Sequence, residues 1–146
     1  MRVIVVCETS GKTREAFRKR GHEAWSCDLL PPDDGSPYHF QTDMFWLLFH
    51  AFPPYYWDLM IAHPDCTYLT SAGLHWNKRV PGRAEKTEKA IADVRRLMSA
   101  PVAKWAIENP SGCISTRIRK PDQSVQPWMF GHDASKKTCL WLHNLP

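Results

Sequence analysis

From Arg2 to Cys7 the chain reads Arg-Val-Ile-Val-Val-Cys, a run rich in valine and apolar from Val3 on. A strand with one wet face alternates apolar and polar residues, so an unbroken run of this kind marks a strand covered on both faces, as in a parallel sheet. Five further segments read as strands: His22 to Cys27, Tyr38 to Thr42, Asp58 to Ala62, Val102 to Ile107 and Thr138 to Leu142. Helical segments fall between them. Arg14 to Arg20 has Ala16 and Phe17 as apolar contacts, with Gly21 in the C-cap place. Met44 to His50 follows Asp43, a capping residue type, and ends at Pro53-Pro54. Ala84 to Ala100 is the clearest helix, because Ala90, Ile91, Val94, Leu97 and Met98 form one stripe before Pro101. Strand and helix in alternation define an α/β fold with a mostly parallel sheet. The 146 residues form one domain by length, and no internal repeat interrupts them.

Two stretches lack periodicity. Residues 63–83 contain Pro64, Gly73, Pro81 and Gly82 and read as a long mobile loop. Residues 111–137 read as irregular. The opening run is too short for a signal-peptide core, and no apolar run approaches the ~20 residues of a bilayer span. Five cysteines without a CxxC pair argue against a secreted disulfide framework. The expectation is a cytoplasmic protein that makes no membrane contact. A net charge of +4 is compatible with a nucleic-acid or nucleotide partner. Seven tryptophans offer core volume or stacking surfaces.

In an α/β sheet, ligands sit at the carboxyl ends of the strands. Here those ends carry Glu8-Thr-Ser-Gly11, Asp28, Asp43, His63-Pro-Asp-Cys66 and Glu108-Asn109-Pro110. A small-residue loop followed by an acid at the end of the second strand is a nucleoside-binding arrangement, the acid meeting a ribose diol; an ordinary turn with a wet Asp28 is the plain alternative. Cys66, held at the rim by a proline-stiffened turn, is a candidate nucleophile, or else a structural thiol. Glu108 ends a buried strand, a costly place for a carboxylate that is not paired or working. His63, Cys66 and His75 are zinc-type ligands, with Cys113 or Cys139 as a fourth, but the spacing fits no common finger. Lys12, Arg14, Arg18, Lys19 and Arg20 crowd the first helix and read as a solvated face. Lys78, Arg79, Arg83 and Lys120 flank the proposed pocket as phosphate contacts, and Trp76 could stack on a base.

Together these residues resemble the DNA (cytosine-5)-methyltransferases, most closely their short phage-type members. Asp58-Leu-Met-Ile-Ala-His-Pro-Asp-Cys66 is similar to that family's strand and Pro-Pro-Cys loop, with Asp65 in the second proline's place. Glu108-Asn109-Pro110 resembles its Glu-Asn-Val motif, and Ser115-Thr-Arg117-Ile-Arg119 its Gln-x-Arg-x-Arg motif. The resemblance spans roughly residues 2–119. It implies a Rossmann-like methyltransferase sheet with helices on both faces. It also implies S-adenosylmethionine as cofactor and DNA as substrate, duplex or single-stranded; the 146 residues leave no room for the family's target-recognition domain, so either sequence specificity is low, or a protein partner supplies target recognition, or the substrate is not ordinary duplex DNA. Cys66 would attack carbon 6 of cytosine, Glu108 would hold N3, and Arg117 or Arg119 the base carbonyl. Glu8, Ser10, Gly11 and Pro64 would border the cofactor, Asp28 its ribose and Asp43 its adenine amine. Two alternatives stand beside this expectation: an inactive nucleotide- or DNA-binding module of the same fold, and an enzyme acting on free cytidine nucleotides.

Overall fold

The apolar runs become strands in a computed structural model that describes all residues, Met1–Pro146. Seven strands form one sheet: β1 (Arg2–Val6), β2 (Glu23–Asp28), β3 (His39–Gln41), β4 (Leu59–Ala62), β5 (Trp105–Pro110), β6 (Gln123–Val125) and β7 (Thr138–His143). Their spatial order is β3-β2-β1-β4-β5-β7-β6. β1 pairs in parallel with β2 and β4, β2 pairs in parallel with β3, and β6 and β7 are antiparallel. This is a Rossmann-like α/β sheet, mostly parallel, as the alternation implied. Backbone contacts divide the chain into two units, Met1–His63 with Ser99–Ala106 and His143–Pro146, and Pro64–Met98 with Ile107–Leu142.

In the first unit, Val3 to Val6 are wholly buried, which requires cover on both faces of β1. Val3, Val5, Ala24 and Leu59 form a core cluster with Phe17, Ile61 and Leu145 against it. The chain leaves β1 through α1 (Lys12–Arg18) to β2 on one side and returns to β4 on the other. The β1–β4 crevice is therefore the sheet's topological switch point, where open α/β sheets bind ligands. After β3, Asp43 caps α2 (Met44–Trp46), which runs on into a π-helical turn over Leu47–Ala51. That turn buries Leu47 and Leu48.

The second unit contains α3 (Ser71–Leu74), a 3-10 turn (His75–Lys78), α4 (Arg83–Met98) and α5 (Ile114–Arg117). Ile91, Val94 and Leu97 line the buried stripe of α4. Residues 63–83 thus hold two helical turns, each too short to leave a periodic signature. Residues 111–137 likewise contain α5, β6 and a 3-10 turn over Pro127–Phe130. β5 lies further along the chain than expected, so Glu108-Asn109-Pro110 is its final stretch rather than the turn after it. Its burial alternates, Trp105, Ile107 and Asn109 inward. A buried asparagine at the third inward place hides the strand from a hydrophobicity pattern. No helix is long and apolar enough to cross a membrane.

Candidate active site

The switch-point loop is built around Glu8. Its carboxylate is buried and spans the start of α1, Oε1 accepting the Thr13 N–H at 2.7 Å and Oε2 the Arg14 N–H at 3.3 Å. Ser10 Oγ lies 3.5 Å from Oε1. In dinucleotide-binding folds, the corresponding amides hold a pyrophosphate. Here a carboxylate already satisfies them, so the loop suits a nucleoside ligand without phosphates, and one with positive charge better than an anion. Cys7, just before it, is held at φ 59, a left-handed conformation that costs a non-glycine residue energy and recurs at ligand sites.

Gly11 also adopts a left-handed backbone, at φ 69, and an added Cβ would overlap the Arg14 guanidinium and lie 2.6 Å from Asp34 Oδ2. Arg14 is not on a solvated face. Its side chain is wholly buried, donating to Glu15 Oε1 at 3.0 Å, to Ser26 Oγ at 2.8 Å and to Asp34 Oδ2. Asp34 is held below its usual value, first by the Ser36 backbone N–H and then by the Arg14 charge. Asp33 fastens the same loop to Thr9, its N–H to Thr9 O at 2.9 Å and its carboxylate to Thr9 Oγ1 at 3.2 Å. Residues 31–36 are thereby tied to the Thr9–Gly11 loop.

The two acids expected at the strand ends are in place. Asp28 accepts the Leu30 N–H on Oδ1 at 3.0 Å, which leaves Oδ2 open, and the following Leu29 and Leu30 are 69% and 63% exposed. Asp43 gives Oδ1 to the Trp46 N–H at 2.8 Å, the cap expected from sequence, and remains exposed. Burial, then the charges of Asp28 and Asp43, push the Cys27 thiol up to about 12, which keeps it protonated and inert.

In the second unit, the two sequence motifs meet. Asn109, 1% exposed, donates from Nδ2 to Pro64 O at 2.8 Å across a separation of 45 residues. Its Oδ1 is buried without a partner. The segments beyond run together: Cys113 N–H to Leu69 O at 2.8 Å, Ser71 N–H to Ser111 O at 3.0 Å, and an antiparallel bridge between Thr70 and Gly112. Gly112 permits this approach, since a Cβ there would lie 2.7 Å from the Leu69 carbonyl carbon and 2.9 Å from Thr70 Cα. Cys66 is half-buried at the start of the turn, its carbonyl accepting the Leu69 and Thr70 N–H groups, both at 3.0 Å. Asp65 aims its carboxylate into its own loop, Oδ1 accepting the Thr67 N–H at 2.9 Å and the Thr67 hydroxyl at 2.6 Å. Glu108 is half-buried, and strand alternation places it on the face of β5 opposite Asn109.

The basic residues divide by role. Arg83 is a tether: it donates to Thr67 O at 2.8 Å and lies 4.8 Å over the Tyr68 ring. Buried Thr87 adds a bond to Tyr68 O at 3.0 Å and takes one from Asn77 at 3.0 Å. Sequence reading missed these loop anchors, whose one signal is a polar residue on the apolar stripe of α4. Arg117 is paired with Glu88 of α4 at 2.8 Å. Arg119 is paired with Asp122 at 2.8 Å and donates to Leu142 O at 2.9 Å. Neither guanidinium is free in this arrangement. Lys78, Arg79 and Lys120 are exposed, and Trp76, 45% exposed, lies 4.7 Å from the His75 ring and tilted 41° to it, with Arg79 at 5.7 Å. His63, Cys66 and His75 form no metal centre, for no three His, Cys, Asp or Glu side chains gather in a metal-binding group.

No protein-family profile matches the chain, and no curated protein matches it in sequence. Among solved structures it is similar to the 16S rRNA methylase RmtB, at 15% identity and a TM-score of 0.44. The likeness covers 97% of this chain and 54% of that one, so this chain spans about half the methylase's length. What this chain acts on is therefore read from its own residues.

Proposed function

We propose that the chain is an S-adenosylmethionine-dependent methyltransferase acting on carbon 5 of cytosine in DNA. The observation that carries this reading is the Asn109–Pro64 hydrogen bond. It supports the reading because it fastens the turn that bears Cys66 to the end of the strand that bears Glu108. The switch-point loop supports the cofactor. Glu8 leaves no place for a phosphate and favours a cationic sulfonium, Asp28 Oδ2 is open for a ribose diol, and Leu29 and Leu30 offer an apolar wall to an adenine. Asp43 keeps one carboxylate oxygen for the adenine amine.

S-adenosylmethionine, when bound, supplies an electrophilic methyl group. The chain's own residues make the base able to receive it. Attack of the Cys66 thiolate on carbon 6 turns carbon 5 into an enamine carbon. Glu108 holds N3 and stabilises the charge that develops on the ring. With the methyl group on carbon 5, water takes the carbon 5 proton, the carbon 6–sulfur bond breaks, and Cys66 leaves as the thiolate, which restores the base. On a duplex, the cytosine must first leave the stack.

Transfer of a tritiated methyl group to DNA tests this, with cytidine nucleotides as the parallel substrate. Wild type should label DNA, and Cys66→Ser should abolish labelling while calorimetry still shows S-adenosylmethionine binding. Labelling that survives Cys66→Ser refutes the nucleophile, and labelling confined to nucleotides refutes the substrate.

A further inference from the structure

The positive charge of the chain is unevenly held. Pro64–Met98 with Ile107–Leu142 contains twelve Lys and Arg against seven Asp and Glu, a net of +5, while the other unit contains seven against eight, a net of −1. The +5 unit also carries a loop whose surface the fold does not require. β6 and β7 form a hairpin closed by the Val125–Thr138 pair, and residues 126–137 join them. The Pro127–Phe130 turn in that loop is a formed structure. Met129 N–H bonds Gln126 O at 3.0 Å, Gly131 N–H bonds Trp128 O at 3.2 Å, and His132 N–H bonds Pro127 O at 3.2 Å. Gly131 takes the left-handed conformation, at φ 84, that ends the turn.

This turn presents Trp128, Met129 and Phe130 in sequence, 58%, 50% and 69% exposed. Three adjacent large apolar side chains left in water forgo the burial each could gain, and such a patch marks a contact surface. The same loop holds Lys136 and Lys137, exposed and without ion pairs, against the single acid Asp133. We propose that this loop holds an unpaired nucleic-acid strand, with bases stacked on Trp128 and Phe130 and phosphates met by Lys136 and Lys137. Aromatic faces beside cations suit single strands, because every base has a π-face and every nucleotide a phosphate. The +5 charge favours a polyanion over a protein or lipid surface lacking that charge. The proposal stands on the loop and the charge of its unit and does not require methyl transfer.

Fluorescence anisotropy with a labelled oligothymidine tests it, with a duplex of mixed sequence as comparison. Wild type should prefer the single strand. Trp128→Ala with Phe130→Ala should weaken single-strand binding roughly ten- to a hundred-fold, whereas Trp128→Phe should keep most of it. Lys136→Ala with Lys137→Ala should lower the slope of log affinity against log salt by roughly 0.7 per lysine. Since these side chains are exposed, unchanged circular dichroism is expected and checks the fold. Equal single-strand affinity in wild type and the double aromatic variant overturns the proposal. So does wild type that self-associates through the loop and binds no oligonucleotide. A protein that binds the strand through this loop but never binds S-adenosylmethionine overturns the methyltransferase reading and leaves this one standing.

Discussion

Gly112→Ala should loosen the candidate nucleophile loop more than any surface change. The new Cβ would lie 2.7 Å from the Leu69 carbonyl carbon and 2.9 Å from Thr70 Cα, both backbone atoms. Ordinary carbon contacts are about 3.5–4.0 Å, so the two segments must part by about 1 Å. The bonds between them, Cys113 N–H to Leu69 O at 2.8 Å and Ser71 N–H to Ser111 O at 3.0 Å, would then lengthen beyond useful reach. The Asn109 bond to Pro64 O lies on the same seam. Three lost bonds at about 1 kcal/mol each, with the penalty of a buried amide left unmet, give about 3–5 kcal/mol. Urea unfolding measures the loss, and the alkylation rate of Cys66 in native buffer measures the opening, which should rise. A wild-type midpoint together with wild-type Cys66 reactivity would refute the reasoning, for it would mean that the two segments are not held in contact.

Asn109→Ala should free Pro64 without the steric push, lowering stability by about 1–2 kcal/mol in the same urea assay and speeding Cys66 alkylation to a smaller degree than Gly112→Ala. Cys27, raised to about 12 in the fold, keeps its proton where the unfolded thiol loses it, so its contribution to stability should fall as pH rises from about 9 towards 12. The fall should approach about 1.4 kcal/mol per pH unit, seen as a gap between wild type and Cys27→Ala that narrows or inverts with pH, and parallel curves would sink it. Asp34 has the opposite sign. Its depressed carboxyl contributes stability above the unfolded value, lost as pH falls through the lower folded value, so Asp34→Asn should flatten the acid limb of a stability–pH profile. The same variant should destabilise at neutral pH, because it leaves the buried Arg14 cation one partner short.

What could be read in the sequence was whatever repeated or stood alone. The runs around Val3–Val6 and Leu59–Ala62 announce doubly covered strands, and the α4 stripe announces a helix, because each obeys one period over enough residues. Asp43 is legible as a cap for the same local reason. Tertiary pairing was not legible. Arg14 stands in sequence among Lys12, Arg18, Lys19 and Arg20 and has no local mark of burial; only its remote partners Ser26 and Asp34 draw it inside. Glu8 looked like a residue bordering a ligand, and only the fold shows both its oxygens bonded to the first amides of α1. Gly112 gave no hint of its role, because the surface it must approach lies some forty residues earlier. α3 and the 3-10 turn after it were invisible because a single turn has no period.

Arg14 has a consequence for how the first unit opens. A seven-residue helix such as α1 is too short to persist by its own hydrogen bonds, and a guanidinium wholly removed from water cannot lose one acceptor and stay where it is. Release of residues 31–36 would strip Asp34 from it, and fraying of α1 would strip Ser26. The helix, the end of β2 and the loop should therefore detach as one cooperative block rather than singly. In native-state hydrogen exchange, the amides of Arg14, Ser26 and Asp33, bonded to Glu8, Tyr38 and Thr9, would share one opening free energy.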